Sequence, residues 1–171
     1  GTFKPVVSPE VDGHEMHVEK IVVQVKTLEH LLEKINSDII PVGTTSMRTL
    51  ESLYWMAIKL LQGDTSFSVG QWDAYKLNNY KLSNREAIEV LLSYFRENDL
   101  SEIHGETRLM IAPGYKFKFA TGLITNFHQP KSTLLLLVSA LVGDDWKRAY
   151  EFALEHEYRF LSYGDSCFFK V

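Results

Sequence analysis

The sequence predicts an α/β domain: a mainly parallel sheet flanked by helices, a layered sandwich with an extra helical insertion. Three observations carry that prediction. Runs rich in β-branched residues alternate with stretches of helical spacing, and the links between them are short. Three times an extended run passes straight into a helix start, before Thr27, at Gly43 and before Ser132.

The first run, "EKIVVQV" (Glu19 to Val25), reads as a strand, and Thr27 then caps a helix with Leu28, Leu31, Leu32 and Ile35 at helical spacing. "DIIPVG" reads as a second strand, although Pro41 removes a ladder donor. A helix over Met47 to Leu61 follows, with Met47, Leu50, Leu53, Tyr54, Ala57 and Leu61 on one face. Residues 64–103 break the alternation and are predicted to be an insertion within a single domain spanning 1–171. Inside it, "SNREAIEVLLSYFREN" opens with a capping box, Ser83 with Glu86, and keeps an apolar stripe. "RLMIAPGYKFKFATGLITNF" reads as a strand, a turn at Pro113 and Gly114, and more extended chain. Ser132 or Thr133 caps a helix that is apolar all round, hence buried. Gly143 ends it and Asp144 or Asp145 starts another. "YRFLSYGDSCFFKV" closes the chain with a turn at Gly164 and Asp165.

At 171 residues, one domain can bury about 70% of its unfolded-chain surface. Hydrophobic residues at 45% and charged ones at 23% are ordinary for a globular protein. A single cysteine, Cys167, cannot form an internal disulfide, which points to a reducing, cytoplasmic setting. The longest apolar block, Leu134 to Val142, is about half of the ~20 residues a membrane span needs. Net charge of −4 argues against a strongly basic nucleic-acid surface, though not against a local patch. The abrupt opening "GTFKPVV" suggests a piece of a longer protein.

Two polar corners are the candidates for chemistry. In open α/β sheets, ligands bind beyond the carboxyl ends of strands, where helix N-termini present free N–H groups. The first corner holds Gly43, Thr44, Thr45, Ser46 and Arg48; the second holds Thr125, Asn126 and His128. Arg48 is the odd member, because a first helical turn favours acids. Either it faces an anion or it pairs with Glu51 one turn on. No Walker lysine or Gly-x-Gly-x-x-Gly is present, so a nucleotide phosphate is not indicated. His14 and His17 lack a third ligand at zinc-like spacing, so no metal is expected. His128 sits in a strand-end loop where an imidazole can act as acid or base. Asp165 beside Gly164 has the form of a turn residue.

Six collinear stretches carry a more specific signal: "GTFKPV", "HEMHVEK", "VGTTSMRTLES", "IAPGYKFKF", "LITNFHQPKSTLLLLVSALVG" and "YRFLSYGDS". Together they resemble the S-adenosylmethionine:tRNA ribosyltransferase-isomerases of queuosine biosynthesis, over the C-terminal half of that family only. Residues 64–102 are longer than the family pattern, and Pro41 and Gln129 depart from it locally. The resemblance implies transfer of the ribosyl unit of S-adenosylmethionine onto the 7-aminomethyl-7-deazaguanine base of tRNA, with isomerisation to epoxyqueuosine. It implies S-adenosylmethionine as the ribosyl donor, tRNA as partner, and an N-terminal half not present here. The resemblance marks positions rather than roles; the chemistry of the side chains there makes Gly43, Thr44, Thr45, Ser46, Arg48, Thr125 and Asn126 the binding candidates, and His17, His128 and Asp165 the acid–base candidates. The competing expectation is a non-catalytic half-enzyme that binds a nucleoside or RNA.

Overall fold

The computed structural model describes residues 16–171; His14 and the opening "GTFKPV" lie outside them. Five strands and six helices follow in the order β1 (Glu19–Gln24), α1 (Val25–Glu33), α2 (Thr44–Leu61), β2 (Ser68–Val69), α3 (Asp73–Lys76), α4 (Asn84–Glu97), β3 (Glu102–Thr107), β4 (Gly122–Asn126), α5 (Thr133–Val142), α6 (Asp145–Glu155) and β5 (Ser166–Lys170).

The strands form two small sheets rather than one mainly parallel one. In the first, of order β1-β3-β2, β1 and β3 run antiparallel from Glu19 opposite Thr107 to Gln24 opposite Glu102. Only the two residues of β2 lie parallel to β3. In the second, β4 and β5 are antiparallel. The predicted mainly parallel sheet is therefore corrected, and burial explains why. Parallel strands are covered on both faces, whereas β1 alternates: Ile21 and Val23 are buried while Val22 is 56% exposed. The "DIIPVG" run does lie beside β4, but as a single parallel bridge, Val42 with Ile124. Pro41 has no N–H to give, so its carbonyl accepts from Ile124 N and Gly43 N then donates to Ile124 O.

Other boundaries moved for local reasons. The first helix starts at Val25, not after Thr27, because Val25 N donates to the carbonyl of Ser101 and needs no side-chain cap. The third strand occupies "EIHGET" rather than the apolar run after it. Glu106 N bonds Phe67 O there, and a Cβ at Gly105 would sit 2.5 Å from that oxygen, so β2 approaches β3 closely only beside a glycine. The capping box of α4 is formed, Glu86 N to Ser83 Oγ at 3.2 Å and Ser83 N to Glu86 Oε2 at 2.6 Å. Ser132 caps α5.

Helix α2 is the hub. It is buried nearly all round, and Leu53, Trp55, Met56 and Ile58 pack in one core with Ile88, Leu91 and Phe95 of α4. Residues 64–103 thus contribute to the same core as the rest. Glu51 on α2 is fully buried, and its carboxylate accepts from Lys118 N, Phe119 N, Ala120 N and the Tyr115 hydroxyl. Burial pushes this carboxyl up, while the four donors pull it back. Since a backbone N–H cannot accept, the arrangement suits an ionised acceptor. One buried acid so organises the "PGYKFKFA" loop around the central helix.

Candidate functional site

Gly43 opens the site. Its φ of 87° lies in the left-handed region that side-chain-bearing residues avoid, which lets the chain turn from its bridge with β4 into α2. No side chain caps this helix, so the N–H groups of Thr44, Thr45 and Ser46 are left for other use, while the Thr45 hydroxyl turns to Glu19. The Val42–Ile124 bridge sets Gly43 beside the end of β4, where Thr125 and Asn126 emerge. The two polar corners therefore meet. They line one cavity of about 260 Å³, together with His128, the turn from Gln129 to Ser132, and Leu161 with Ser162. The N-termini of α2 and α5 both open onto it, and Lys131 adds a cation, so the walls favour an anionic group.

His128 is wedged into the wall. Its Nε2 lies 2.8 Å from Thr125 Oγ1, and its backbone N donates to the Tyr150 hydroxyl at 2.8 Å. Burial lowers its pKa to about 4, so the imidazole is neutral at physiological pH. Burial likewise raises the Tyr150 phenol to about 12 and the Cys167 thiol to about 11. Neither is ionised, and the Cys167 thiol donates to Thr125 O. Asn126 Nδ2 is shared between the carbonyls of Gly164 and Asp165, both at 3.3 Å, which ties the loop before β5 to the end of β4.

Seven of the ten residues predicted to form the site line this cavity: Gly43, Thr44, Thr45, Ser46, Thr125, Asn126 and His128. Three do not. Arg48 is 3% exposed and pairs neither with an anion in the cavity nor with Glu51. Its Nη1 lies 3.1 Å from Glu19 Oε1, because the Glu51 carboxylate is taken by the backbone of 118–120. His17 Nε2 lies 3.2 Å from the same Glu19 oxygen, and the Thr45 hydroxyl reaches it at 3.5 Å. This second polar cluster adjoins the cavity through Thr45. Asp165 closes a loop: its Oδ2 accepts from Arg159 N at 2.7 Å.

Sequence reasoning missed Glu19, Lys131 and Ser162. Glu19 stood at the start of a strand pattern and inside the singled-out stretch "HEMHVEK", where the histidines drew the attention. Lys131 and Ser162 stood inside motifs already singled out, "HQPKST" and "YRFLSYGD", and both wall positions are loop residues. Among the described residues no group of three or more His, Cys, Asp or Glu side chains is placed to hold a metal ion. No helix among them is long and apolar enough to cross a membrane.

Comparison with known proteins agrees with these motifs. The chain is 37% identical over 171 residues to the S-adenosylmethionine:tRNA ribosyltransferase-isomerase of Thermosipho africanus, covering 98% of this chain and 39% of that protein. It is 37% identical over 169 residues to the protein of the same name from Thermoanaerobacter sp., covering 97% and 38%. The solved S-adenosylmethionine tRNA ribosyltransferase of Thermotoga maritima superposes with a TM-score of 0.56 at 31% identity, covering 88% of this chain and 40% of that one. The chain thus spans about 39% of the length of the first of these relatives. Residues 1–169 match the family described as queuosine biosynthesis protein, and the chain belongs to that family.

Proposed function

We propose that the cavity binds S-adenosylmethionine as a ribosyl donor, within a longer enzyme that moves the ribosyl unit onto the 7-aminomethyl-7-deazaguanine base of tRNA and isomerises it to epoxyqueuosine. The observation that supports this most is the convergence of Gly43–Ser46 with Thr125–His128 on one cavity, in a chain whose relatives bear the name of that enzyme. The reaction needs an anchor for the methionine carboxylate, a base for the proton on the carbon beside the sulfonium, and a donor to the departing adenine.

The N–H groups of Thr44, Thr45 and Ser46 and the hydroxyls of Thr44 and Ser46 suit the carboxylate, since a helix N-terminus favours an anion. Thr125 and Asn126 line the same cavity and suit the nucleoside. His128, being neutral, serves as a hydrogen-bonding group toward the substrate rather than as a store of protons. His17, beside Glu19, is the candidate base from the adjoining cluster. Arg48 acts through Glu19, whose carboxylate steadies Thr45. Asp165 positions the loop that carries Ser162. The partners are tRNA and the remainder of the family architecture, and a cytoplasmic setting follows from that substrate.

A second reading rests on the same cavity, whose walls suit a nucleoside with or without turnover: a half-enzyme that binds its nucleoside or RNA without catalysis. Calorimetric titration with S-adenosylmethionine, paired with an assay for released adenine in the presence of precursor tRNA, separates the two. Binding without adenine release supports the half-enzyme. Absence of binding by both this chain and a full-length relative removes the cavity as the donor site.

A further inference from the structure

We propose that Tyr163, next in the chain after two residues of the cavity wall, is a stacking platform for an unpaired nucleobase of the RNA substrate; the inference rests on the reading that the protein acts on tRNA. Tyr163 is 98% exposed, whereas every other exposed large hydrophobic side chain among the described residues keeps at least three-tenths of its surface covered. A ring this open makes no packing contribution to the fold. It belongs, nevertheless, to a loop clasped by several hydrogen bonds.

Asp165 N donates to Arg159 O at 2.8 Å, and Arg159 N returns a bond to Asp165 Oδ2. Gly164 N donates to Leu161 O, Leu161 N to Phe127 O, and Asn126 Nδ2 holds the carbonyls of Gly164 and Asp165. A Cβ at Gly164 would lie 2.2 Å from Arg159 O, so the turn closes only with glycine. Leu161 is held at φ 70°, a left-handed conformation that side-chain-bearing residues other than Asn and Asp rarely adopt. Strain and so many bonds spent on a loop whose tip buries nothing have a purpose if the tip must be held still for a ligand.

The placement names the ligand class. Leu161 and Ser162, the residues just before Tyr163, line the cavity, and Lys131 stands on its wall. Small neighbours, Ser162 and Gly164, leave both ring faces open. An open aromatic that follows directly on two residues of the cavity wall, in a cavity that also carries a cation, fits single-stranded RNA, whose splayed bases stack on aromatic side chains.

The test measures binding of an RNA hairpin carrying the substrate's anticodon loop to the native chain and to Tyr163→Ala, Tyr163→Phe and Tyr163→Trp, over a range of salt. Tyr163→Ala is expected to weaken binding roughly 5- to 150-fold, the range for loss of one base–aromatic stack, while Phe and Trp retain it. The slope of log K against log salt stays unchanged, because no phosphate contact is removed. Equal melting temperatures for all four proteins show that folding is not the cause. The proposal is overturned if Tyr163→Ala binds like the native chain, if Phe is as weak as Ala, or if the salt slope becomes shallower. If the native chain binds no hairpin at all, the tRNA reading itself falls at this surface and the stacking role with it.

Discussion

Arg48 shows how one side chain changes meaning between sequence and structure. In sequence it is a cation misplaced in a first helical turn; in the fold it is buried against Glu19, with its Nε and Nη2 and Glu19 Oε2 lacking hydrogen-bond partners among the described residues. Removing one member of a buried pair strands the other, so Arg48→Ala is expected to lose about 2–4 kcal/mol by urea denaturation. The double change of Arg48→Met with Glu19→Leu should recover most of that loss, because an incompletely satisfied pair is replaceable by apolar packing. A double variant no more stable than the single one would refute the pairing account.

His128 makes a second prediction, this one in pH. Its folded pKa of about 4 lies below the ordinary value of 6.5, so the unfolded chain binds the extra proton between them. Stability from this residue is complete above pH ~6.5 and is lost as pH falls toward 4. The ceiling is ~3 kcal/mol, reduced by whatever solvent reaches the ring. Urea midpoints for the native chain and His128→Gln, compared at pH 7 and pH 4.5, should converge or cross at the lower pH; a constant difference would contradict this assignment.

The helices and loops are held by a few polar bonds placed where packing cannot act. In α4 the reciprocal Ser83–Glu86 box satisfies two end groups, and Ser83→Ala should cost about 1 kcal/mol by thermal melting. The "PGYKFKFA" loop depends instead on Glu51. Glu51→Gln keeps the size but turns an NH₂ toward backbone N–H donors, leaving them unpaired, and should cost roughly 2–4 kcal/mol. If the glutamine variant is as stable as native, the carboxylate is not the organiser of this loop. Both motifs, "TSMRTLES" and "IAPGYKFKF", thereby become parts of one structural device, since the acid of the first receives the N–H groups of the second.

For the molecule as a whole, a continuous core joins α2, α4 and both sheets. The chain is therefore expected to unfold cooperatively, yet it spans only about 39% of its Thermosipho relative. It should bind S-adenosylmethionine weakly and release no adenine by itself. Robust adenine release with precursor tRNA would show that the functional surface is complete in this chain.

Residue types and their spacing were enough to place most helices, the α4 cap, the turn at Gly164 and the two polar corners, because these depend on neighbours within a few positions. Local spacing also put Gly43–Ser46 and Thr125–His128 at strand ends, and seven of the ten candidate residues now line one cavity. Which strand lies beside which was a different matter. "EKIVVQV" looks alike in a parallel or an antiparallel sheet, and only its partner "EIHGET", about 80 positions away with one buried aliphatic residue, decides for the antiparallel ladder. Thr27 is a sound cap until Ser101 O takes its place, and Arg48 has a neighbour of opposite charge in Glu51 until Glu19 arrives from β1. Short-range order is governed by backbone sterics and capping, which the sequence carries locally. Pairings across tens of residues depend on which buried polar groups find partners once the chain is packed, and that is decided only in three dimensions.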